Sequence, residues 1–219
     1  MHHDDKADFY NHGTGARFGM LGGRVKLAFG AFAILCCWLS IGFGFVAFGL
    51  FLFLHILLQE NKRRARQEFD GDIKAPLEGR IHAIRQDGNG LQIDIAGHKV
   101  ASQIIYAPIA SRVEDKLWID GTYLPFDDAT AHPLRARYDF LLETEQGQLI
   151  TLSLFGGTWT RYIYAPFTEG QYVGLGEPFA FGLLQSLITL QLPKDYEAVV
   201  AVGDDIIAKQ TTIAQRPLK

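Results

Sequence analysis

At 219 residues the chain has room for one or two domains, and 48% hydrophobic with 21% charged residues is ordinary for a folded protein. The formal net charge is −3, and from Gln67 to Lys219 there are 13 Lys and Arg residues against 20 Asp and Glu residues. An acidic surface does not attract a phosphate backbone, so we exclude nucleic acid as a partner.

Residues 27–58 contain no Asp, Glu, Lys or Arg and consist mostly of Phe, Leu, Ile, Val, Ala and Gly. As one helix they would be roughly 48 Å long, against a hydrocarbon core of about 30 Å. We therefore predict a membrane-embedded helical hairpin that turns within residues 40–44, with one long tilted span as the alternative. The two cysteines both lie in this segment and have no metal-ligand spacing, so no metal site is expected.

Basic residues flank the apolar segment on both sides. Arg17, Arg24 and Lys26 precede it, and the run NKRRAR at 61–66 follows it. The positive-inside tendency predicts that both flanks face the cytoplasm. The predicted organisation is a polar N-terminal segment at 1–26, the hairpin at 27–58, a basic juxtamembrane linker at 59–72 and an all-β domain at 73–219.

The chain changes character beyond Asp72. Short runs of Ile, Val, Leu, Tyr and Phe alternate with polar residues, and Gly, Pro, Asn or Asp interrupts them every 8 to 12 residues or so. The succession GRIHAIRQ, DGNG and LQIDIAG predicts a hairpin, and EQG at 145–147 predicts the turn of another. No amphipathic helical pattern longer than about ten residues appears there, so the domain is expected to be mainly β.

Several stretches of this domain, in the same order, resemble the phosphatidylserine decarboxylases, in particular their short bacterial form. APLEGRI at 75–81 resembles the family's S-P-A-D-G-K/R-V motif, and APIASRVED at 107–115 resembles S-P-F-N-V-H-V-N-R. YDFLLETEQGQLITLSLFGGTWTRYI resembles a family hairpin with its following strand, and EGQYVGLGEPFAFGLLQSLITLQLP is similar to the family's final block. The resemblance implies a barrel-sandwich-like β domain behind an N-terminal hydrophobic hairpin.

Ser186 stands where the family's self-processing serine stands. The resemblance implies cleavage between Gln185 and Ser186, which would leave a C-terminal chain of 34 residues beginning with a pyruvoyl group. This group would serve as the electron sink for decarboxylation of an aminophospholipid such as phosphatidylserine. The alternative is a core serine, because alternation through Ile188, Leu190 and Leu192 predicts a strand that turns Ser186 inward.

The sequence departs from the family pattern at three of the positions that matter. Gln185 replaces the glycine before the serine, and Glu78 replaces the family's aspartate. Arg112 stands at the family's histidine, the proposed base for processing, and an arginine cannot accept a proton. Glu78 or His82, four residues further along a predicted strand, could act as the base instead. Arg112 could bind a lipid phosphate or pair with Glu78.

Three functions remain open at this point. The first is a pyruvoyl-dependent decarboxylase at a bacterial inner membrane, with its β domain facing the cytoplasm and a phospholipid bilayer as its partner. The second is a family member without catalysis that serves as a lipid-binding or complex-forming subunit. The third is a barrel-sandwich membrane adaptor, which predicts a long helical hairpin between two half-motifs that the sequence does not show. A homo-oligomer is left open.

Overall fold

The structure, a computed structural model, describes residues 15–39, 41–58, 65, 71–88, 90–98, 102–123, 134–157, 162–182 and 187–217. The chain divides into two compact units, Met1–Asn61 and Lys62–Lys219. Gln185 and Ser186, on which the cleavage hypothesis depends, lie outside the described residues.

The first unit consists of two helices, α1 (Gly15–Leu39) and α2 (Ile41–Leu57). They lie side by side, since a Cβ atom added to Gly30 would be 3.9 Å from the ring of Phe51. None of the helices in the described residues is both long enough and apolar enough to cross a membrane. Helix α2 has 17 residues, and the first half of α1 carries the basic residues that precede the apolar segment. The predicted transmembrane hairpin is therefore not supported.

The described residues of the second unit form fourteen strands. They are β1 (Ile73–Lys74), β2 (Gly79–Asp87), β3 (Gly90–Gly97), β4 (Ile104–Tyr106), β5 (Ser111–Ile119), β6 (Arg137–Thr144), β7 (Leu149–Phe155), β8 (Ile163–Tyr164), β9 (Tyr172–Val173), β10 (Pro178–Gly182), β11 (Leu187–Leu192), β12 (Glu197–Ala198), β13 (Asp205–Ile206) and β14 (Thr212–Gln215).

These strands make one large sheet and two small ones. The eight-stranded sheet has the order β13-β2-β3-β11-β7-β6-β5-β9, and the three-stranded sheets have the orders β1-β14-β12 and β4-β10-β8. Every pairing between these strands is antiparallel. Aliphatic and aromatic side chains from all three sheets share one buried core. The prediction of a mainly β domain is confirmed, while its finer description as barrel-sandwich-like stays a prediction.

Both hairpins that the sequence predicted are present. Strands β2 and β3 pair along their length around the DGNG turn, and β6 and β7 pair around the EQG turn. Gly147 in the second turn has a φ of 74°, a left-handed conformation that glycine adopts without a Cβ clash. Local turn chemistry was therefore sufficient to place these elements.

Strand β11 lies in the middle of the large sheet, between β3 and β7. Its side chains Ile188, Leu190 and Leu192 are buried in the core, as the alternation predicted. On the opposite face, the Thr189 hydroxyl donates a hydrogen bond of 2.7 Å to the buried carboxylate of Asp94 on β3. Core packing on one face of β11 and the hydrogen bond of Thr189 on the other face therefore both fix the register of this strand.

Candidate functional site

The start of β11, a central strand, lies at one end of the strands of the large sheet. Leu187, the first residue of the strand, lies opposite Ala96 near the end of β3 and opposite Phe155 at the end of β7. Leu187 directly follows Ser186 in the chain, so the structure locates the residue next to the predicted cleavage point. We call the surroundings of Leu187, with Glu78, Gly97, His98 and Gln103, the β11 edge.

Glu78 and His98 meet at the β11 edge because β2 begins where β3 ends. The backbone N–H of His98 donates to the Glu78 carbonyl oxygen at 3.2 Å, and the Gln103 side-chain amide donates to the His98 carbonyl oxygen at 3.1 Å. The backbone carbonyl oxygen of Gln103 accepts a 3.2 Å hydrogen bond from the N–H of Gly182, the last residue of β10. A small pocket of about 10 Å³ lies here, lined by Leu77, Glu78, Gly97, His98, Ser102, Gln103 and Ile105. It has room for about one water molecule.

Gly79, the residue after Glu78, allows β2 and β3 to approach closely at this point. It lies opposite Gly97, and an added Cβ would come within 2.9 Å of both the Ala96 carbonyl carbon and the Gly97 Cα, and closer still to the Ala96 carbonyl oxygen. Real Cβ atoms essentially never make such contacts. The glycine of APLEGRI is therefore required by the close strand approach that joins Glu78 to His98.

The ion pair of Arg80 and Asp205 lies beside His98, one of the residues that line the pocket. Strand β13 pairs with β2 so that Asp205 lies opposite Arg80, and the guanidinium donates two hydrogen bonds of 2.9 and 3.1 Å to the carboxylate. The hydrogen bonds from Arg80 lower the pKa of Asp205 below its ordinary value, and the same pair raises the pKa of Arg80. The imidazole Nε2 of His98 lies 3.7 Å from the Asp205 carboxylate. A carboxylate that stays ionised thus faces a histidine beside the pocket.

Arg112 lies at the opposite end of the large sheet. On β5 it is opposite Glu143 of β6 and Tyr172 of β9, and its guanidinium pairs with Glu114 at 3.3 Å. Along β6, Glu143 is six positions from Arg137, which lies across β7 from Leu187. At about 3.3 Å per residue this is roughly 20 Å. The structure therefore brings Arg112 neither to Glu78 nor to the β11 edge.

His82 is also placed apart from the pocket. It is exposed on β2 at an irregularity where the register with β3 shifts between Ile81 and Ala83. Because Glu78 lies before β2 and the register shifts at His82, the two residues do not form the single regular strand face that the sequence suggested. His98 and Asp205 were missed as a pair, because their contact depends on β13 joining β2 from far along the chain.

These features define a mainly β protein in which a carboxylate, Glu78, and a histidine, His98, lie where β2 begins and β3 ends in the largest sheet. The family model for phosphatidylserine decarboxylase matches residues 102–214, which is just over half of the chain. The chain belongs to the phosphatidylserine decarboxylase family.

Curated relatives agree with this assignment over most of the chain. A phosphatidylserine decarboxylase proenzyme of Symbiobacterium thermophilum is 27% identical over 194 residues, covering 85% of this chain and 90% of the relative. One of Neisseria gonorrhoeae is 27% identical over 219 residues, covering 95% of this chain and 82% of the relative. One of Nitrosomonas eutropha is 23% identical over 151 residues, covering 66% and 70%. No solved structure matches the chain significantly.

Proposed function

We propose that this protein is a membrane-associated phosphatidylserine decarboxylase that cleaves itself between Gln185 and Ser186 and acts on an aminophospholipid. The observation that carries the proposal is that Leu187, the residue after Ser186, pairs with Ala96 of β3, two residues before His98. The naming of the relatives as proenzymes also supports a processed chain.

The groups around the β11 edge fit a pyruvoyl group made from Ser186. Its formation needs a proton acceptor and donor, and the small pocket beside the end of β3 is lined by a carboxyl and an imidazole, those of Glu78 and His98. Once formed, the group supplies an electron-withdrawing ketone for decarboxylation. The hydrogen bonds from the His98 N–H to the Glu78 carbonyl and from the Gln103 side-chain amide to the His98 carbonyl hold the surrounding chain in place.

The proposed self-cleavage proceeds through an ester and a dehydroalanine intermediate. The Ser186 hydroxyl oxygen bonds to the carbonyl carbon of Gln185, and the C–N bond breaks as the nitrogen takes up the hydroxyl proton, which gives an ester. Removal of the Ser186 Cα proton then expels the Gln185 carboxylate from the Cβ atom. Water adds to the remaining dehydroalanine and ammonia leaves. The products are a chain ending at Gln185 and a 34-residue chain with a pyruvoyl N-terminus.

Membrane association would come from residues 27–58 lying in the plane of the inner face of a bacterial membrane. Large apolar side chains of both helices are exposed, including Ile34, Trp38, Phe43 and Phe45. Such a surface favours the boundary between headgroups and acyl chains. The basic run at 61–66 would add attraction to anionic headgroups, at about 1 kcal/mol per Lys or Arg near the surface.

A second function, a lipid-binding family member without catalysis, is favoured by Arg112. This residue stands where the family's histidine is expected and lies about 20 Å from the β11 edge along the sheet. Gln185 in place of glycine points the same way, because a Cβ restricts strained turns.

One assay separates the two functions. The full-length protein is incubated with vesicles of phosphatidylcholine and phosphatidylserine, and release of carbon dioxide is measured with co-sedimentation of the protein. Ser186→Ala is the inactive variant, and Ser153→Ala, on the neighbouring strand β7, is the matched control. We expect release from the wild type and the control only. Co-sedimentation without release from any of the three would support the lipid-binding function and overturn the proposed enzyme.

A further inference from the structure

A groove with a volume of about 620 Å³ lies between α1 and α2 in the helical unit. Trp38 near the end of α1 and Gly44 near the start of α2 both line it, so the two helices run antiparallel. The volume falls within the range of about 300–1,000 Å³ that is typical of small-molecule sites. The described walls are apolar and include Ala33, Ile34 and Trp38 of α1 and Phe45, Phe48 and Phe51 of α2.

Both helices continue the face that lines the groove to a polar residue at the same end. On α1, Lys26 comes one turn before Gly30, and on α2, His55 comes one turn after Phe51. A Cβ atom added to Gly30 would be 3.9 Å from the Phe51 ring, so these two positions face each other. The ring centroids of Phe51 and His55 are 6.1 Å apart. Lys26 and His55, both half-buried, therefore border this end of the groove, which we call its mouth.

We propose that the helical unit binds one anionic phospholipid, with an acyl chain in the groove and the phosphate at Lys26 and His55. Both side chains can donate hydrogen bonds, and the ammonium of Lys26 adds a positive charge that complements a phosphate. The second acyl chain would lie along exposed apolar side chains of the helices, such as Phe43. Such a lipid needs no amine and takes no part in decarboxylation, so the site goes beyond the proposed function.

The size of the groove favours a hydrocarbon chain over a helix from a second copy of the protein. Helix α1 rises roughly 12 Å from Gly30 to Trp38, the two ends of its lining. A helix about 10 Å across would fill about 900 Å³ over that length. The groove has about 620 Å³, so it is too small for a helix, whereas a single hydrocarbon chain is much thinner. The positive charge of Lys26 at the mouth further favours an amphiphile with an anionic head.

The test is native mass spectrometry of the full-length protein in a mild non-ionic detergent, with phosphatidylglycerol as the probe lipid. This lipid has an anionic phosphate and no amine, so it reports binding without decarboxylation. The protein carries Ser186→Ala, so that it stays whole whether or not the wild type cleaves itself. We expect one bound lipid per chain at saturation.

A first pair of variants tests the mouth of the groove. Lys26→Gln combined with His55→Gln should weaken binding about tenfold or more, the typical effect of losing a hydrogen bond to a charged group. Arg24→Gln is the matched control and should bind as before. Arg24 is exposed and lies about 120° around α1 from Gly30, away from the groove.

A second pair tests the apolar part of the groove. Ala33→Phe puts a ring into the groove and should abolish one-to-one binding. Ala31→Phe is the matched control, because Ala31 is exposed and lies about 200° around α1 from Ala33. Circular dichroism verifies the helix content, and the charge variants decide the outcome if Ala33→Phe changes it.

Weaker binding by each test variant, beside an unaffected control, would support the proposed lipid site. Absence of bound lipid, or equal binding by a test variant and its control, would overturn it, because the lipid would then be held elsewhere or by the detergent. A protein dimer without lipid that Ala33→Phe dissociates would assign the groove to a second copy and overturn it as well. Release of carbon dioxide by the wild type is measured separately, so the proposed function stands or falls on its own.

Discussion

Gly79 offers a sharp test of how the β11 edge is built. Replacing it with alanine places a Cβ atom within 2.9 Å of the Ala96 carbonyl carbon and of the Gly97 Cα. Ordinary contact begins near 3.4 Å, so β2 and β3 must separate by at least about half an ångström. The neighbouring hydrogen bond between the His98 N–H and the Glu78 carbonyl, now 3.2 Å long, would then exceed bonding distance.

The expected loss of stability has two parts. Overpacking against a rigid backbone costs about 1–3 kcal/mol. Loss of the hydrogen bond adds about 1 kcal/mol. The sum of about 2–4 kcal/mol is a large part of the 5–15 kcal/mol that is typical of a folded domain. The same strand separation moves Glu78 away from His98, so self-cleavage should also slow.

Urea denaturation of the full-length protein measures the first effect, and intact mass measures the second. Gly88→Ala is the matched control, because it lies in the turn of the same hairpin and an added Cβ there meets nothing within 4 Å. The reasoning is refuted if Gly79→Ala unfolds at the same urea concentration as Gly88→Ala.

Two further substitutions test the packing of β11 and the charge group. Thr189→Val removes a hydrogen bond to the buried Asp94 carboxylate, so it should lower the free energy of unfolding by about 1.5–3 kcal/mol in urea titrations, and an unchanged midpoint would contradict this. The folded-state pKa of Asp205 is lowered, so its pairing with Arg80 stabilises the protein above the unfolded-state pKa and is lost as pH falls through the folded-state pKa. The difference in free energy of unfolding between the wild type and Asp205→Asn should therefore shrink in acid. A difference that does not change with pH would refute the stabilising role of this pair.

The features that the sequence predicted correctly are local ones. The turn of EQG at 145–147 and the DGNG turn lie directly between the strands that they join, so composition and alternation placed both hairpins. The period of two predicted the burial of Ile188 and Leu190, but Leu187 and Thr189 on the opposite face are buried as well. The order of the family motifs was likewise readable without any tertiary structure, and the family was confirmed.

The features that the sequence could not predict depend on long-range pairing. Arg80 and Asp205 are 125 residues apart in the chain, and β13 brings them together. The acidic neighbour of His98 was therefore not predictable, because Asp205 comes from β13. Alignment by motif placed Arg112 at the position of the family's histidine, as a possible ligand of a lipid phosphate, but the direction of β5 takes it to the other end of the sheet from Leu187. Apolar composition alone did not establish a membrane span in residues 27–58.

The intact mass of the protein purified from membranes, measured beside Ser186→Ala, tests the central claim most directly. We predict two chains for the wild type, one ending at Gln185 and one of 34 residues, lighter by one ammonia than a chain that begins with serine. The variant should remain whole. A wild type that remains a single chain of 219 residues, identical in behaviour to the variant, would contradict the account.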